Sequence, residues 1–426
     1  MRKCIGAVLI ALLCLAVIPA AVSGRVVIDI TSFDSRMPVA ISDFTADPGI
    51  APIIRSDLEF TSAFTILDQS AHTEPPGARF DPAGWRELNV EAVLKGAVLF
   101  DAASQKLLVD ASLFDPVENR AIFRRNYQAD VTLLRSLGHQ IANDVYEALT
   151  GKESVFRTQI AYVAAESGNK DIYITDWDGG RPRRMTKTGT LTMAPKWSRT
   201  GRYLAYSSLR GNRWGLYVLD MMKAAESLVH GGSSFSLPGA FDPDGRTIYF
   251  SASDGGDSKI FRSDITGGYM SRLTDSSGID VSPTVSPDGR RLAFVSDRGG
   301  TPQIYVMDSR GGDVGRNARR ITFEGDYNTS PAWSPRGDLI AFVGRRAGGL
   351  QIFTITPDGE GLTRLTDGGK NDTPAWSPDG RYIAYSASQG GSSAVWIMLS
   401  NGQKKRRVSP AGQNASAPNW SPVLRF

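Results

Sequence analysis

Pro374-Ala-Trp-Ser-Pro-Asp-Gly-Arg-Tyr-Ile-Ala-Tyr-Ser386 is the stretch that decides the architecture of most of this chain. It reads as a short strand ending on Trp376, a reversal at Ser377-Pro-Asp-Gly380 and a second strand from Tyr382 to Ser386. Proline presets φ, aspartate bonds its own backbone, and glycine takes the positive φ that turns the chain back. The same unit recurs. Its marker residue stands at Trp197, Phe241, Val285, Trp333, Trp376 and Trp420, a spacing of about 44 residues, which is the length of a four-stranded propeller blade. After each second strand come a Gly-rich loop and a third strand, as in Gln303-Ile-Tyr-Val-Met-Asp308. A short fourth piece follows: Arg272-Leu-Thr, Arg320-Ile-Thr, Arg364-Leu-Thr. Alternation in runs this short signals strands, not helices.

The two ends of the repeat complement each other. Ile160-Ala-Tyr-Val aligns with Leu204-Ala-Tyr-Ser one period later, so the first unit has strands two to four but no first strand. The last unit has a first strand at Trp420 and then stops at Phe426. Residues 154–426 therefore read as an all-β six-bladed β-propeller closed by the C-terminal strand. An open array would want polar capping repeats at its ends.

Upstream, residues 24–153 lack the repeat and read as an α+β domain. Strands are expected at Arg25–Ile30, Val90–Phe100, Lys106–Phe114 and Ala121–Tyr127. One helix takes Asp47 as N-cap and Pro48 as first residue, with Ile50, Ile53, Ile54 and Leu58 on one face. A longer one is opened by Asp130, turns Leu134, Leu137, Ile141, Val145 and Leu149 inward, and ends at Gly151. The short connection from Gly151 to Val155 argues for docked domains over a flexible tether.

Residues 1–23 read as a secretory signal peptide. Arg2 and Lys3 precede the uncharged run Ile5–Ile18, Pro19 breaks it, and Ala21-Val-Ser-Gly24 offers the small side chains a signal peptidase accepts. The run falls short of the ~18 apolar residues of a spanning helix, and Leu13 before Cys14 is not the small residue of a lipobox. Both cysteines, Cys4 and Cys14, fall in this leader, so the exported chain is expected to hold neither disulfide nor thiolate metal site. With 48 basic residues against 44 acidic ones, the charge balance provides no field for nucleic acid or an anionic membrane. The expected location is the periplasm.

Catalytic and metal signatures are missing. Gly231-Gly-Ser233 and Gly390-Gly-Ser392 lack the closing glycine of a nucleophile elbow, and Lys152 lacks the rest of a P-loop. His72, His139 and His230 are scattered without ligand spacing, and each reads as a solvated loop or helix-surface residue. The Asp-Pro-Asp-Gly turns and Asp176-Trp-Asp-Gly179 lack the far-end ligand of a calcium loop and read as hairpin turns. The clusters Arg181-Pro-Arg-Arg184, Arg319-Arg320 and Lys404-Lys-Arg-Arg407 fall at outer fourth strands, where charge discourages edge pairing. No catalytic, cofactor or metal residue is therefore expected. Two classes remain: a protein-binding scaffold, or a propeller enzyme or carbohydrate-binding protein using the central pocket.

The exported α+β domain, the Pro-x-aromatic-Ser/Asp-Pro-Asp-Gly blades, the segment Val26-Val-Ile-Asp-Ile30 and the junction Phe156-Arg-Thr-Gln-Ile-Ala-Tyr-Val163 together resemble the TolB family of the Tol-Pal system. The likeness runs through nearly all of the mature chain, with Val285 departing from the aromatic marker. The resemblance implies a monomeric periplasmic hub between TolA at the inner membrane and the peptidoglycan-associated lipoprotein Pal. Such a hub supports outer-membrane integrity, constriction at division and protein import, with other outer-membrane lipoproteins as further partners. It would meet membranes only through those partners and need no cofactor. It also implies that the N-terminal residues Val26, Val27, Ile28, Asp29, Ile30 and Phe33 engage TolA, and that one propeller face engages Pal. Loops leading into the six inner strands project onto that face: Lys187–Ala194, Gly231–Leu237, Asp275–Ser282, Glu324–Ser330, Asp367–Thr373 and Ala411–Ala417. The candidate residues there are Leu191, Thr192, Phe235, Ser236, Ile279, Asp280, Tyr327, Asn328, Asn371, Asp372, Asn414 and Ser416.

Overall fold

The computed structural model describes residues 36–72, 74–166, 168–232, 235–253, 256–311 and 317–424. The expected signal peptide, the strand Arg25–Ile30 and the TolA-directed residues from Val26 to Phe33 lie outside them.

The N-terminal region is one mixed sheet with helices on it. Strand β1 (Met37–Ile41) pairs in parallel with β2 (Phe64–Ile66) on one side and β3 (Ala92–Asp101) on the other. Antiparallel β4 (Lys106–Asp115) and β5 (Arg120–Asp130) extend it, giving the order β2-β1-β3-β4-β5. Helix α1 (Ile50–Phe60) buries Ile50, Ile54 and Leu58. A short α2 (Pro82–Glu87) precedes β3, and α3 (Leu134–Thr150) lies beside α1. Leu137, Ile141, Val145 and Leu149 of α3 join the core, as their spacing requires.

The start of α1 corrects one expectation. The N-cap position is Gly49, at φ 117°, and not Asp47, so Pro48 stays outside the helix. Asp47 nonetheless caps it from upstream. Its carboxylate accepts the amides of Gly49, Ile50 and Ala51 at 2.9, 2.6 and 2.9 Å, three of the donors a helix start leaves unpaired. Asp130 likewise accepts the Thr132 amide at 2.9 Å and opens a 3-10 turn that runs into α3. At the far end Gly151 takes the left-handed φ of 70° that closes the helix.

The described residues from Gln159 onward form six four-stranded sheets, each antiparallel. Blade one consists of Gln159–Glu166, Asn169–Asp176 and Arg183–Arg184, and its innermost strand is Asn414–Trp420. Blades two to six have inner strands Thr192–Trp197, Ser236–Phe241, Asp280–Val285, Asn328–Trp333 and Lys370–Trp376. The six inner strands touch neighbour to neighbour in a closed ring. Closure is chemical as well as geometric. The Trp420 indole donates to Thr158 Oγ1 at 2.7 Å, and Ser421 and Gln159 exchange backbone and hydroxyl bonds at 2.8 Å.

Each marker residue packs on the preceding blade. Trp197 sits with Ala161, Ile172 and Ile174, and Trp333 with Ala293, Ile304 and Val306. Val285 fills the same place among Tyr249, Leu292 and Phe294 and is buried. The Met-Thr, Leu-Thr and Ile-Thr pieces have a repeated duty. The hydroxyls of Thr186, Thr274, Thr322 and Thr366 accept the amides of Ile172, Ile260, Ile304 and Ile352 at 3.0, 3.0, 2.9 and 2.9 Å. Each thereby ties the outer strand to the third.

The two regions share one apolar core. Phe60 at the end of α1 stacks on Tyr382 of the propeller at 5.9 Å and meets Trp177 at 5.7 Å, while Tyr146 of α3 packs edge-on against Phe156. The Arg406 guanidinium lies 4.1 Å over Phe60, and Lys404 Nζ donates to the Glu59 carbonyl at 2.8 Å.

Candidate protein-binding face

The ring gives the molecule two different mouths. All six inner strands run the same way, because their C-terminal residues Trp197, Phe241, Val285, Trp333, Trp376 and Trp420 line one chamber. In an antiparallel blade, the first hairpin and the loop between strands three and four lie at that same end. Trp177 and Lys404 belong to those connections and Tyr382 opens the strand that follows the first hairpin of its blade, so the N-terminal region docks there. The loops leading into the inner strands lie at the other mouth, which leaves that face clear of the N-terminal region.

The loops are shorter than their sequence limits. Inner strands already begin at Thr192, Ser236, Asp280, Asn328, Lys370 and Asn414, so the last residues of each expected loop are strand. The cause is a bulge. Ala194, Ser282, Ser330, Thr373 and Ala417 take positive φ of 49 to 56° just before the blade proline. The extra residue kinks the strand without ending its pairing.

The twelve candidate residues divide by burial. Thr192, Ser236, Asp280, Asn328 and Asn371 are buried, with their polar groups committed inside the blades. Asn328 donates to Gln303 Oε1 at 2.7 Å and Asn371 to Gln351 Oε1 at 2.8 Å. Asp280 accepts from Arg298 at 3.0 Å and from Ser276 at 2.7 Å. These five shape the face. Ser236 also bonds His230 Nδ1 at 2.6 Å, but its hydroxyl is fully buried, so the pair ties a loop and offers no accessible nucleophile. Phe235 and Ile279 are 39% and 43% exposed, Asn414 is exposed, and Leu191, Tyr327, Asp372 and Ser416 are half-buried. Burial pushes the Asp372 carboxyl up, against the opposing pull of the Thr373 amide and Lys370. Asn371 and Asn414 line one groove of about 570 Å³ with Tyr385, Trp396 and Gln413.

Sequence reasoning overlooked the partners of the exposed aromatics. Trp214 meets Phe235 edge-on at 4.6 Å, and Arg345 lies 4.4 Å over the Tyr327 ring. Both stand on the strand ends that flank the connection between second and third strands. The antiparallel order puts that connection on the same face, so the signal was present.

His139 is a second correction. Expected as a solvated surface residue, it is only 3% exposed, held between α1, α3 and the propeller. Its Nδ1 lies 2.6 Å from Asp57 and its Nε2 3.9 Å from Asp178 of the propeller. Burial disfavours its charged form, but Asp57, then Asp178 and Asp176, outweigh that and raise its pKa. Burial likewise pushes the Asp57 carboxyl up to about 6, against the pull of His139. These three groups lie within 4.8 Å of one another. The two ring nitrogens face different carboxylates, however, and Arg135 bonds Asp178. The arrangement is a buried chain of ion pairs between domains. His72 and His230 are half-buried, the first against Trp85.

No helix among the described residues is long and apolar enough to cross a membrane. The family model described as the TolB beta propeller domain matches residues 146–424, and that of the TolB amino-terminal domain matches residues 26–122. The Tol-Pal system protein TolB of Desulfosudis oleivorans is 32% identical over 205 residues, covering 44% of this chain and 46% of that protein. Its counterpart in Rickettsia felis is 32% identical over 234 residues, covering 51% and 52%. The matched region thus spans about half the length of these curated relatives. The crystal structure of TolB from Acinetobacter baumannii is similar with a TM-score of 0.81 and 26% identity, covering 91% of this chain and 97% of that one.

Proposed function

This chain belongs to the TolB family, and from that premise we propose that it is a periplasmic protein-binding scaffold linking TolA at the inner membrane to Pal at the outer membrane. In this reading it supports outer-membrane integrity and constriction at division, and performs no catalysis. One observation carries the Pal half: the propeller mouth opposite the docked N-terminal region presents Phe235, Ile279 and Tyr327 beside the Asn371–Asn414 groove. Rigid aromatic anchors set in a polar surround are what a protein interface draws its energy from. The TolA half rests on Val26, Val27, Ile28, Asp29, Ile30 and Phe33, whose alternation suits the addition of a strand to a partner sheet.

Calorimetric titration of Pal tests the first half. Phe235→Ala and Tyr327→Ala should each cost about 1–3 kcal/mol of affinity with the fold intact. Wild-type affinity in the double variant, with a native circular dichroism spectrum, moves the site off this face. Removing residues 25–35 should abolish TolA binding and spare Pal binding, and undiminished TolA binding refutes that assignment.

A further inference from the structure

A single lysine stands in the propeller's central channel. The bore is walled by one proline per blade: Pro195, Pro238, Pro283, Pro331, Pro374 and Pro418. Lys196 follows the first of these and lines both the proline-walled bore, about 180 Å³, and the chamber of about 340 Å³ beyond it. The equivalent positions on the other inner strands are Ala240, Thr284, Ala332, Ala375 and Asn419. Three of them are Ala, which leaves room for a lysine side chain and something beside it.

The charge there is uncompensated. Among the described residues neither cavity is lined by an aspartate or glutamate; the chamber's other cation, Arg199, has Asp242 and Asp288 acting on it from outside the lining. Among the described residues no acceptor is paired with the Lys196 ammonium. Burial alone pushes its pKa down to about 8. An unpaired charge in such a place is costly unless something neutralises it.

Two further donors share its level. Asn419 Oδ1 accepts the Trp197 amide at 2.7 Å, which fixes the side chain and leaves its NH₂ group to donate. Thr284 Oγ1 accepts the Trp333 amide at 3.2 Å, which leaves its hydroxyl proton free to turn. A cation with two neutral donors in a rigid, largely apolar wall is the chemistry of an oxyanion site.

We propose that the central channel binds one small free oxyanion, of the phosphate or small-carboxylate class, held by the Lys196 ammonium with the Asn419 amide and the Thr284 hydroxyl. The site is independent of the partner-binding reading, since it lies inside the bore and not on the outer face.

The test is calorimetry and thermal melting of the mature protein with inorganic phosphate and, separately, with succinate. One saturable site is expected, with melting raised by about 5 °C at a hundredfold excess over Kd. The tighter of the two anions names the class. Lys196→Met should abolish the response while melting no lower than the anion-free parent. Asn419→Asp keeps the acceptor for Trp197 but supplies an internal counter-ion, so it should weaken anion binding at least about tenfold. Absence of a saturable response to both anions overturns the proposal, as does an equal response in the parent and both variants.

Discussion

Trp420→Ala probes the closure of the ring. The side chain is 5% exposed and packs with Ile160, Ala415 and Tyr382, its ring 6.1 Å from that of Tyr382. Truncating a buried aromatic of this size costs about 3–5 kcal/mol. The lost indole bond adds little, because Thr158 Oγ1 keeps its own bond to the Val155 carbonyl at 2.6 Å. With a urea m-value of about 3 kcal/mol/M, the midpoint should fall by about 1–1.7 M. Trp333→Ala supplies the comparison, since it empties an equivalent marker position inside a continuous blade. Both variants should lose similar stability, but only Trp420→Ala should free the edge of Gln159–Glu166 and self-associate on size-exclusion chromatography. If Trp420→Ala stays monomeric and its midpoint lies within about 0.3 M of the parent, the latch is not at Trp420. Thr158→Val keeps the ring in place but removes the hydroxyl that both accepts from the indole and donates to Val155, leaving the buried indole N–H unpaired at a cost of about 1–3 kcal/mol.

Two further outcomes follow from the domain junction. His139 has a folded pKa above its unfolded one, so the stability it contributes is fully present below pH 6.5 and lost as pH rises through the raised value. Melting temperature should therefore fall more steeply as pH rises above 6.5 in the parent than in His139→Gln, and parallel slopes would show that the pair carries no linkage. Gly179 takes φ of 94° and an added Cβ would lie 2.7 Å from the Val408 carbonyl, whereas Gly168, at φ 86°, would meet nothing. Gly179→Ala should cost about 2–4 kcal/mol and Gly168→Ala only about 1 kcal/mol by urea titration; equal losses would mean that the contact with Val408 relaxes freely.

The propeller was legible because its signal repeats. A turn that is ambiguous once becomes firm when Pro-Asp-Gly or its variants return at each blade, and even Val285 could be placed by register alone. The N-terminal region offered no such redundancy. Strand β1 is five residues long with Pro38 inside it, and β2 has three residues, so neither shows an alternation long enough to read. Asp81-Pro82 carries the same signature as Asp47-Pro48, and there it is obeyed, with Asp81 as N-cap and Pro82 as the first helical residue. What separates the two cases is Gly49, whose left-handed turn delays the start of α1. On the candidate face, the loops were legible but the burial within them was not. Asn328 and Asn371 point inward because Gln303 and Gln351 wait for them on a third strand, a pairing no local pattern announces. His139 was misjudged for a similar reason: its neighbour Asp178 belongs to another domain.

The bond from Trp420 to Thr158 joins residues 262 positions apart, and that separation orders events in time. Blades two to six are each built from one continuous stretch and can form as their own hairpins appear. Blade one cannot, because its inner strand arrives only after all the others. Until then every nascent chain carries an open edge at Gln159–Glu166, facing a five-sixths ring. The closing step pays the loop entropy of nearly the whole propeller at once. It should be the slow phase of refolding and the interval in which a chaperone has most to do. Slowing it would lengthen that exposure without changing a single contact of the finished protein.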